Sequence, residues 1–495
     1  MKKVLLFSVF MAMTVVIAAV ARAQTLDNAK NKLPEIGVVA SDALTIDKEV
    51  ILGDAIMKQL RGQAPLINDP VIEEYIQDLG NRLVLHADNT RFPFKFFIVN
   101  NPVLNAFAFY GGYIGIHSGL ITRAQSESEL ASVVAHEIAH VTQRHLARRA
   151  QSQSRSGPLQ LASLLGSILV ALADPEAGVA AMQATLGGSQ QAQINFTRGI
   201  EREADNIGIS ILYRAGFDPK GAPAFFGRLA EQARSSSVQL AFLRTHPLPQ
   251  ERVAETITRA NAFGERKVAP SLSFGLVRAR LNARYLLNEE RALQVYSAEV
   301  ERLTSDTNRN KASVALKTAK YGHAIALFEN EKFEDAQALI LELLKDDAEN
   351  LFYLDLYTDV LLKQQKHDAA IKMLTSHWQH RPQNRVLALN LANTLLYAGE
   401  FDESIQILRD MLLVDSEDLL AYQLLHDAYR QSQNKKDAHI TQANIYALIS
   451  AYPLAINELQ FAYNFSSNDT LERQRITGMI EKMRNAQETT RRLSL

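Results

Sequence analysis

His136, Glu137 and His140 are the residues of this 495-residue chain whose types and spacing could do chemistry. Four positions apart on a helix, the two histidines project from one face, so both imidazoles can reach a single metal ion. Glu137 lies about 100° further round, close enough to contact a water on that ion without ligating it. This arrangement meets the needs of metal-assisted peptide hydrolysis. A bound zinc lowers the pKa of its water to about 7 and polarises a scissile carbonyl, while Glu137 takes the proton and passes it to the leaving amine. The plainer alternative is a pair of satisfied core histidines.

A third ligand must come from another element. The chain has no cysteine, which excludes thiolate ligands, a cysteine nucleophile and a disulfide framework, and leaves His, Asp and Glu. Within Arg198-Gly199-Ile200-Glu201-Arg202-Glu203-Ala204-Asp205, Glu201 and Asp205 are again four apart. Glu201 can therefore ligate while Asp205 accepts a hydrogen bond from a ligand imidazole's other nitrogen. Glu203 points to another face, and the same spacing also suits a solvated acidic surface.

These side chains need elements to hold them. Residues 46–61 and 70–87 carry apolar residues at helical spacing. Residues 92–99 are aromatic and β-branched, and 106–116 are interrupted by Gly111-Gly112 as in a strand pair with a tight turn, so a small sheet is predicted. Substrate is expected to add as an extended strand beside an edge near residues 113–118. Ser126 and Glu129 offer a capping box for a helix over about 128–149. On that helix His145 lies about 140° from His140 and cannot share its metal, so His145, like His117, is read as structural. A further helix over about 196–215 is closed by Gly216. Between the two ligand helices, 158–186 reads as an apolar hairpin, either a lid over the cleft or ordinary core.

Lys2 and Lys3, the apolar run 4–20 and Ala21-Arg22-Ala23 match a signal peptide cleaved before Gln24. An uncleaved anchor is the alternative, although the run is short for a bilayer span. No other segment is long and apolar enough to cross a membrane, so the mature chain is expected to have no transmembrane span. An exported chain without disulfides suits a periplasm. The 53 basic and 54 acidic residues nearly cancel and form no basic block, which argues against nucleic acid as a partner.

From residue 313 the chain is helical and self-similar. Glu331-Lys332-Phe333-Glu334-Asp335-Ala336 recurs as residues 365–370, 399–404 and, degenerately, 433–438, a 34-residue period that belongs to helix-turn-helix TPR units. Ala336, Ala370, Ser404 and Ala438 fall where paired helices approach closely. Such arrays bind proteins and perform no chemistry. The expected division is a signal peptide at 1–23, a catalytic domain at 24–265, a helical connector at 266–312 and a repeat domain at 313–495.

Together, His136-Glu137-Ile138-Ala139-His140, Glu201-Arg202-Glu203-Ala204-Asp205 and the strand segment Asn105-Ala106-Phe107-Ala108 resemble the M48 family of metallopeptidases. With the signal and the repeats, the resemblance extends over nearly the whole mature chain to periplasmic members. It implies an α+β, mostly α architecture, with a zincin-like (gluzincin) metalloprotease domain followed by a C-terminal α-solenoid of TPR-type repeats. It implies one Zn2+ per chain bound by His136, His140 and Glu201, with Glu137 as the base. It also implies misassembled outer-membrane β-barrel proteins as substrates, contact between the repeats and the barrel-assembly machinery, and a chaperone role. The Thr245-His246-Pro247 segment fits the family pattern, which favours His246 as a fourth ligand displacing the catalytic water in a latent state over a surface-loop histidine. Unlike other members, this chain lacks several long transmembrane helices, so intramembrane cleavage is not expected. A non-catalytic scaffold or holdase with a latent zinc site is the rival from another class, but a binding module has no use for Glu137. Another kind of zinc hydrolase lacks any small-ligand or phosphate motif to support it.

Overall fold

The computed structural model describes residues 44–153, 190–235, 242–243, 246–305, 313–467 and 469–493; the predicted signal peptide and the apolar hairpin at 158–186 lie outside them. Two capped helices lead. Thr45 accepts from the Lys48 N–H to open α1 (Ile46–Gln63). Asp69 caps α2 (Pro70–Val84), whose first-turn proline has no N–H to satisfy.

A three-stranded sheet follows, built from β1 (Lys95–Val99), β2 (Ala106–Ala108) and β3 (Tyr113–His117) in the order β1-β3-β2. β3 runs parallel to β1, with Tyr113 opposite Lys95, and antiparallel to β2, with Ile116 opposite Ala106. Gly111 and Gly112 make the turn into β3 with φ of 79° and 87°. α1 crosses that turn so closely that a Cβ on Gly53 would lie 2.1 Å from the Tyr110 carbonyl oxygen. This order corrects the expected substrate edge. Because β2 folds back on β3 as a hairpin while β1 takes its other side, residues 113–117 are paired on both flanks. β2 pairs with β3 alone among the described residues, so on the hairpin's side the sheet ends in an open edge at Ala106–Ala108.

After the short α3 (Ser118–Arg123) comes α4 (Glu127–Thr142), capped by Ser126 through the Glu129 N–H, with the Glu129 carboxylate accepting in turn from the Gln125 N–H. The helix expected over 128–149 is two helices. α4 stops at Thr142, Arg144 takes a left-handed φ of 51°, and the chain restarts as α5 (His145–Gln153). Arg144 is buried and donates from Nε to Glu49 at 2.8 Å, and a distant partner thus sets the break. α6 (Gln190–Arg214) closes at Gly216, φ 90°, as the sequence indicates. α7 (Gly221–Ser235) and α8 (Gln250–Ala262) follow, then α9 (Leu272–Arg280), which runs on into a π-helical turn at Leu281–Leu286.

α10 (Glu289–Ser305) leads into the repeats: α11 (Val314–Glu329) with α12 (Phe333–Asp346), α13 (Leu351–Lys363) with α14 (His367–His380), α15 (Arg385–Ala398) with α16 (Phe401–Val414), and α17 (Leu419–Gln431) with α18 (Lys435–Leu448). α19 (Tyr452–Phe465) and α20 (Thr470–Arg492) end the array. The four predicted small residues, Ala336, Ala370, Ser404 and Ala438, are all buried, and the Ser404 hydroxyl donates to the Ala392 carbonyl at 2.8 Å. The turn inside each unit uses one left-handed residue, at Glu331, Gln365, Gly399 and Gln433, of which one is glycine.

One apolar cluster runs from Ile67 and Ile72 through Ile138 and Phe225 to Tyr321, Leu356 and Val386, so the repeats share a core with the elements before them. Polar contacts join the same parts: Arg385 reaches Glu73 at 2.9 Å, Asn384 donates to Glu74, and Lys95 donates to Glu417. Burial pushes Glu73 from the ordinary 4.5 up to about 7, against the pull of Arg385 and with help from Asp418. A raised carboxyl contributes stability below 4.5 and loses it as pH rises through about 7. Glu73→Gln is therefore expected to be near neutral at pH 5 and to stabilise at pH 8 by ~1–2 kcal/mol, part of the carboxylate facing water. Melting temperatures at the two pH values test this, and an equal shift at both would refute it.

Candidate active site

α4 brings His136, Glu137 and His140 onto one stretch of helix, facing α6. The two helices cross in contact at a glycine: a Cβ on Gly208 would lie 3.1 Å from the His136 backbone nitrogen. That approach delivers Glu201 and Asp205 to the histidines, and the segment leading into α8 delivers His246. His136 Nε2 lies 3.0 Å from His140 Nε2, 3.3 Å from His246 Nδ1 and 3.4 Å from Glu201 Oε2. Glu201 Oε1 is 3.6 Å from His140 Nε2, and Glu201 Oε2 is 3.1 Å from His246 Nδ1. A tetrahedral ion with bonds of about 2.1 Å needs donor separations of about 3.4 Å. The four-residue set, all within 4.8 Å of one another, fits a metal ion.

The field at this point favours positive charge. Burial alone disfavours charge on His136, yet the carboxylates of Asp205 and Glu201 push its pKa up to about 10. Burial holds His140 well below the usual histidine value, in the neutral form that donates to a metal. Burial would raise Glu201, but His246, His136 and His140 outweigh it and keep the carboxylate ionised. Burial pushes Glu137 up, only partly offset by His246 and His136 and by a hydrogen bond from the Ala108 backbone. Its Oε1 sits 3.3 Å from His246 Nε2.

Asp205 lies where the sequence anticipates, with Oδ1 3.0 Å from His136 Nδ1. All six residues named from the sequence thus meet in one cluster, all of them buried except the half-buried His140. Sequence reasoning missed Arg252 on α8. Its Nε and Nη2 donate to the two oxygens of Asp205 at 2.7 and 2.8 Å, and its Nη1 donates to the Pro247 carbonyl at 2.6 Å, tying the His246 segment to the carboxylates. Its place five residues after Pro247, inside a segment already suspected of reaching the site, was the available signal. His117 is structural as read: Nδ1 donates to the Val103 carbonyl, and burial pushes the imidazole down to about 4. His145, also read as structural, lies against a member of the cluster: its Nδ1 is 2.9 Å from His140 Nδ1. Because the helix breaks between them, His145 is brought beside His140 rather than turned away, yet it stays outside the four-residue cluster.

A helix bearing two histidines and a glutamate, crossed by a helix bearing the carboxylate of Glu201 and flanked by a sheet edge, defines a metal-dependent endopeptidase. Residues 70–260 match the model of Peptidase family M48, and residues 361–429 match a Tetratricopeptide repeat. The chain is 40% identical over 491 residues to Beta-barrel assembly-enhancing protease of Escherichia coli (strain K12), covering 99% of this chain and 98% of that protein. It is 39% identical over 480 residues to the protein of that name in Yersinia pestis, covering 96% of each. A shorter match, 31% identity over 168 residues, covers 34% of this chain and 32% of Mitochondrial metalloendopeptidase OMA1 of Arabidopsis thaliana. The chain belongs to peptidase family M48 and is, over its full length, similar to the beta-barrel assembly-enhancing proteases. These likenesses do not favour a non-catalytic scaffold.

Proposed function

We propose that this protein is a periplasmic zinc endopeptidase that degrades misassembled outer-membrane β-barrel proteins and assists their assembly as a chaperone. Residues 24–265 carry the chemistry, 266–312 connect, and 313–495 recruit unfolded clients and the barrel-assembly machinery. The observation that carries this reading is the convergence of His136, His140 and Glu201 on one point, with Glu137 beside it. Support for the compartment and clients comes from the names of the full-length relatives and the export pattern at 1–23; among the described residues no helix is long and apolar enough to cross a membrane.

His136, His140 and Glu201 would hold one Zn2+, a nitrogen and oxygen donor set suited to that ion. Zinc supplies Lewis acidity and an activated water when bound. Glu137 takes a proton on its carboxylate and returns it to the leaving amine. Asp205 keeps the His136 proton on Nδ1 and Nε2 free to ligate. The Ala108 N–H ties Glu137 to β2, whose open edge accepts an extended client segment as an added strand, so unfolding rather than sequence selects the substrate.

His246 would offer Nδ1 as a fourth donor to the ion and turns Nε2 toward Glu137, standing where a reacting water would approach the base. This is a latent arrangement. The test uses the chain from residue 24. Wild type and His246→Ala should both bind one zinc, and His246→Ala should cleave unfolded casein on the order of tenfold faster, as a competent fraction near one in ten requires. Chelation should stop both and zinc restore both. A wild type without zinc would sink the peptidase site, whereas equal rates would sink only the latency.

A further inference from the structure

We infer that His145 is a positioning residue for the metal site, accepting the Nδ1 proton of His140 and anchoring that imidazole through Glu203; this rests on His140 being a metal ligand. The protonation pattern follows from geometry. His140 turns Nε2 toward His136 and Glu201, so that nitrogen supplies the lone pair, and in a neutral imidazole the proton is then on Nδ1. The partner 2.9 Å from that Nδ1 is His145 Nδ1, which must accept. The His145 proton is therefore on Nε2, which faces Glu203 Oε2 at 3.4 Å. Glu203 is an acceptor held in place by Arg148, whose Nη1 donates to the same oxygen at 2.9 Å. Every bond from His140 to Arg148 thus has one direction, and each donor meets an acceptor.

The backbone is arranged for this contact. On a continuous helix His145 would turn away from His140, but the left-handed Arg144, pinned to Glu49, swings it back. His145 is 3% exposed and meets His140 edge to face at 4.8 Å between ring centres. A side chain needed only to fill that space would be apolar, because a buried ring nitrogen must be paired. The two ligand histidines are oriented differently: His136 contacts the Asp205 carboxylate directly, whereas His140 reaches Glu203 through an intervening imidazole. Glu203, which its spacing from Glu201 and Asp205 put on another face, thereby gains a part in the site.

Asparagine and leucine have nearly the same shape and differ in the acceptor, so His145→Asn and His145→Leu separate hydrogen bonding from packing. The zinc dissociation constant of the full mature chain, measured by competition with a chromogenic chelator, is the readout, alongside the melting temperature of the metal-free protein. His145→Leu is expected to weaken zinc binding 10–100-fold, the usual effect of losing a ligand's hydrogen-bond partner. His145→Asn, with Oδ1 in place of Nδ1, should lose much less than His145→Leu, and metal-free melting should not distinguish them. Unchanged zinc affinity in His145→Leu, or equal losses in both variants, overturns the inference while leaving the metal site standing. Absence of zinc binding in wild type itself removes the metal site and this inference with it; His136→Ala provides the baseline for that comparison.

Discussion

Glu137→Gln is expected to lower cleavage of unfolded protein by about 10²–10⁴-fold with zinc content unchanged. The amide keeps the shape of the carboxylate but cannot take a proton at neutral pH. Glu137 is not in the ligand set formed by His136, His140, Glu201 and His246, so its loss should spare the metal. The fold should not suffer either. Glu137 is buried, and the amide fills the same volume. Turnover of an unfolded substrate, metal analysis and a melting curve at pH 8 give the three readouts. Activity within tenfold of wild type would show that another group moves the proton.

Arg280→Met should destabilise the protein by ~3–5 kcal/mol. Arg280 is 2% exposed and donates from Nε to Asp69 at 2.6 Å, from Nη1 to Tyr321 at 3.1 Å, and lies 2.7 Å from Asp355 through Nη2. Asp69 caps α2 and also accepts from the Tyr285 hydroxyl, while Asp355 on α13 accepts from Asn390 on α15. One guanidinium therefore neutralises two buried carboxylates from opposite parts of the molecule. Methionine fills its volume and leaves both charges uncompensated in a low-dielectric interior. The denaturation midpoint measures the loss, and a change under 1 kcal/mol would mean that the carboxylates find other partners. Asp355→Asn added to Arg280→Met should recover part of it, since one of the two orphaned charges is then gone.

The convergence of His136 with His140 and of Glu201 with Asp205 was legible because it is local: four-residue spacing on a helix fixes a shared face whatever surrounds it. The repeats were legible for the same reason, as a pattern that recurs in the chain itself. What sequence did not reveal depends on partners far away. Arg144 shows no glycine or proline signal, and only its pairing with Glu49 breaks the helix and turns His145 onto His140. Residues 113–117 read correctly as a strand, but alternation and turn residues carry no information on strand order, so the free edge was placed on β3 rather than β2. Glu331, Gln365 and Gln433 adopt left-handed φ without being glycine, because the stacking of adjacent units outweighs the local preference.

The array does not end in solvent. Leu493, just past α20, packs against the apolar cluster of Leu52, Ile56 and Phe97, and α18 meets α1 so closely that a Cβ on Gly62 would lie 3.0 Å from the Ile449 carbonyl oxygen. Glu417 bonds Lys95 at 2.9 Å between the array's two ends. A solenoid attached at one end behaves as a spring whose outermost unit peels first and whose stability is a sum over neighbours. Fastened at both ends, this one is a hoop. Its last units cannot fray without opening contacts to α1, its span is fixed rather than elastic, and loss of any one unit is felt all the way round the circuit.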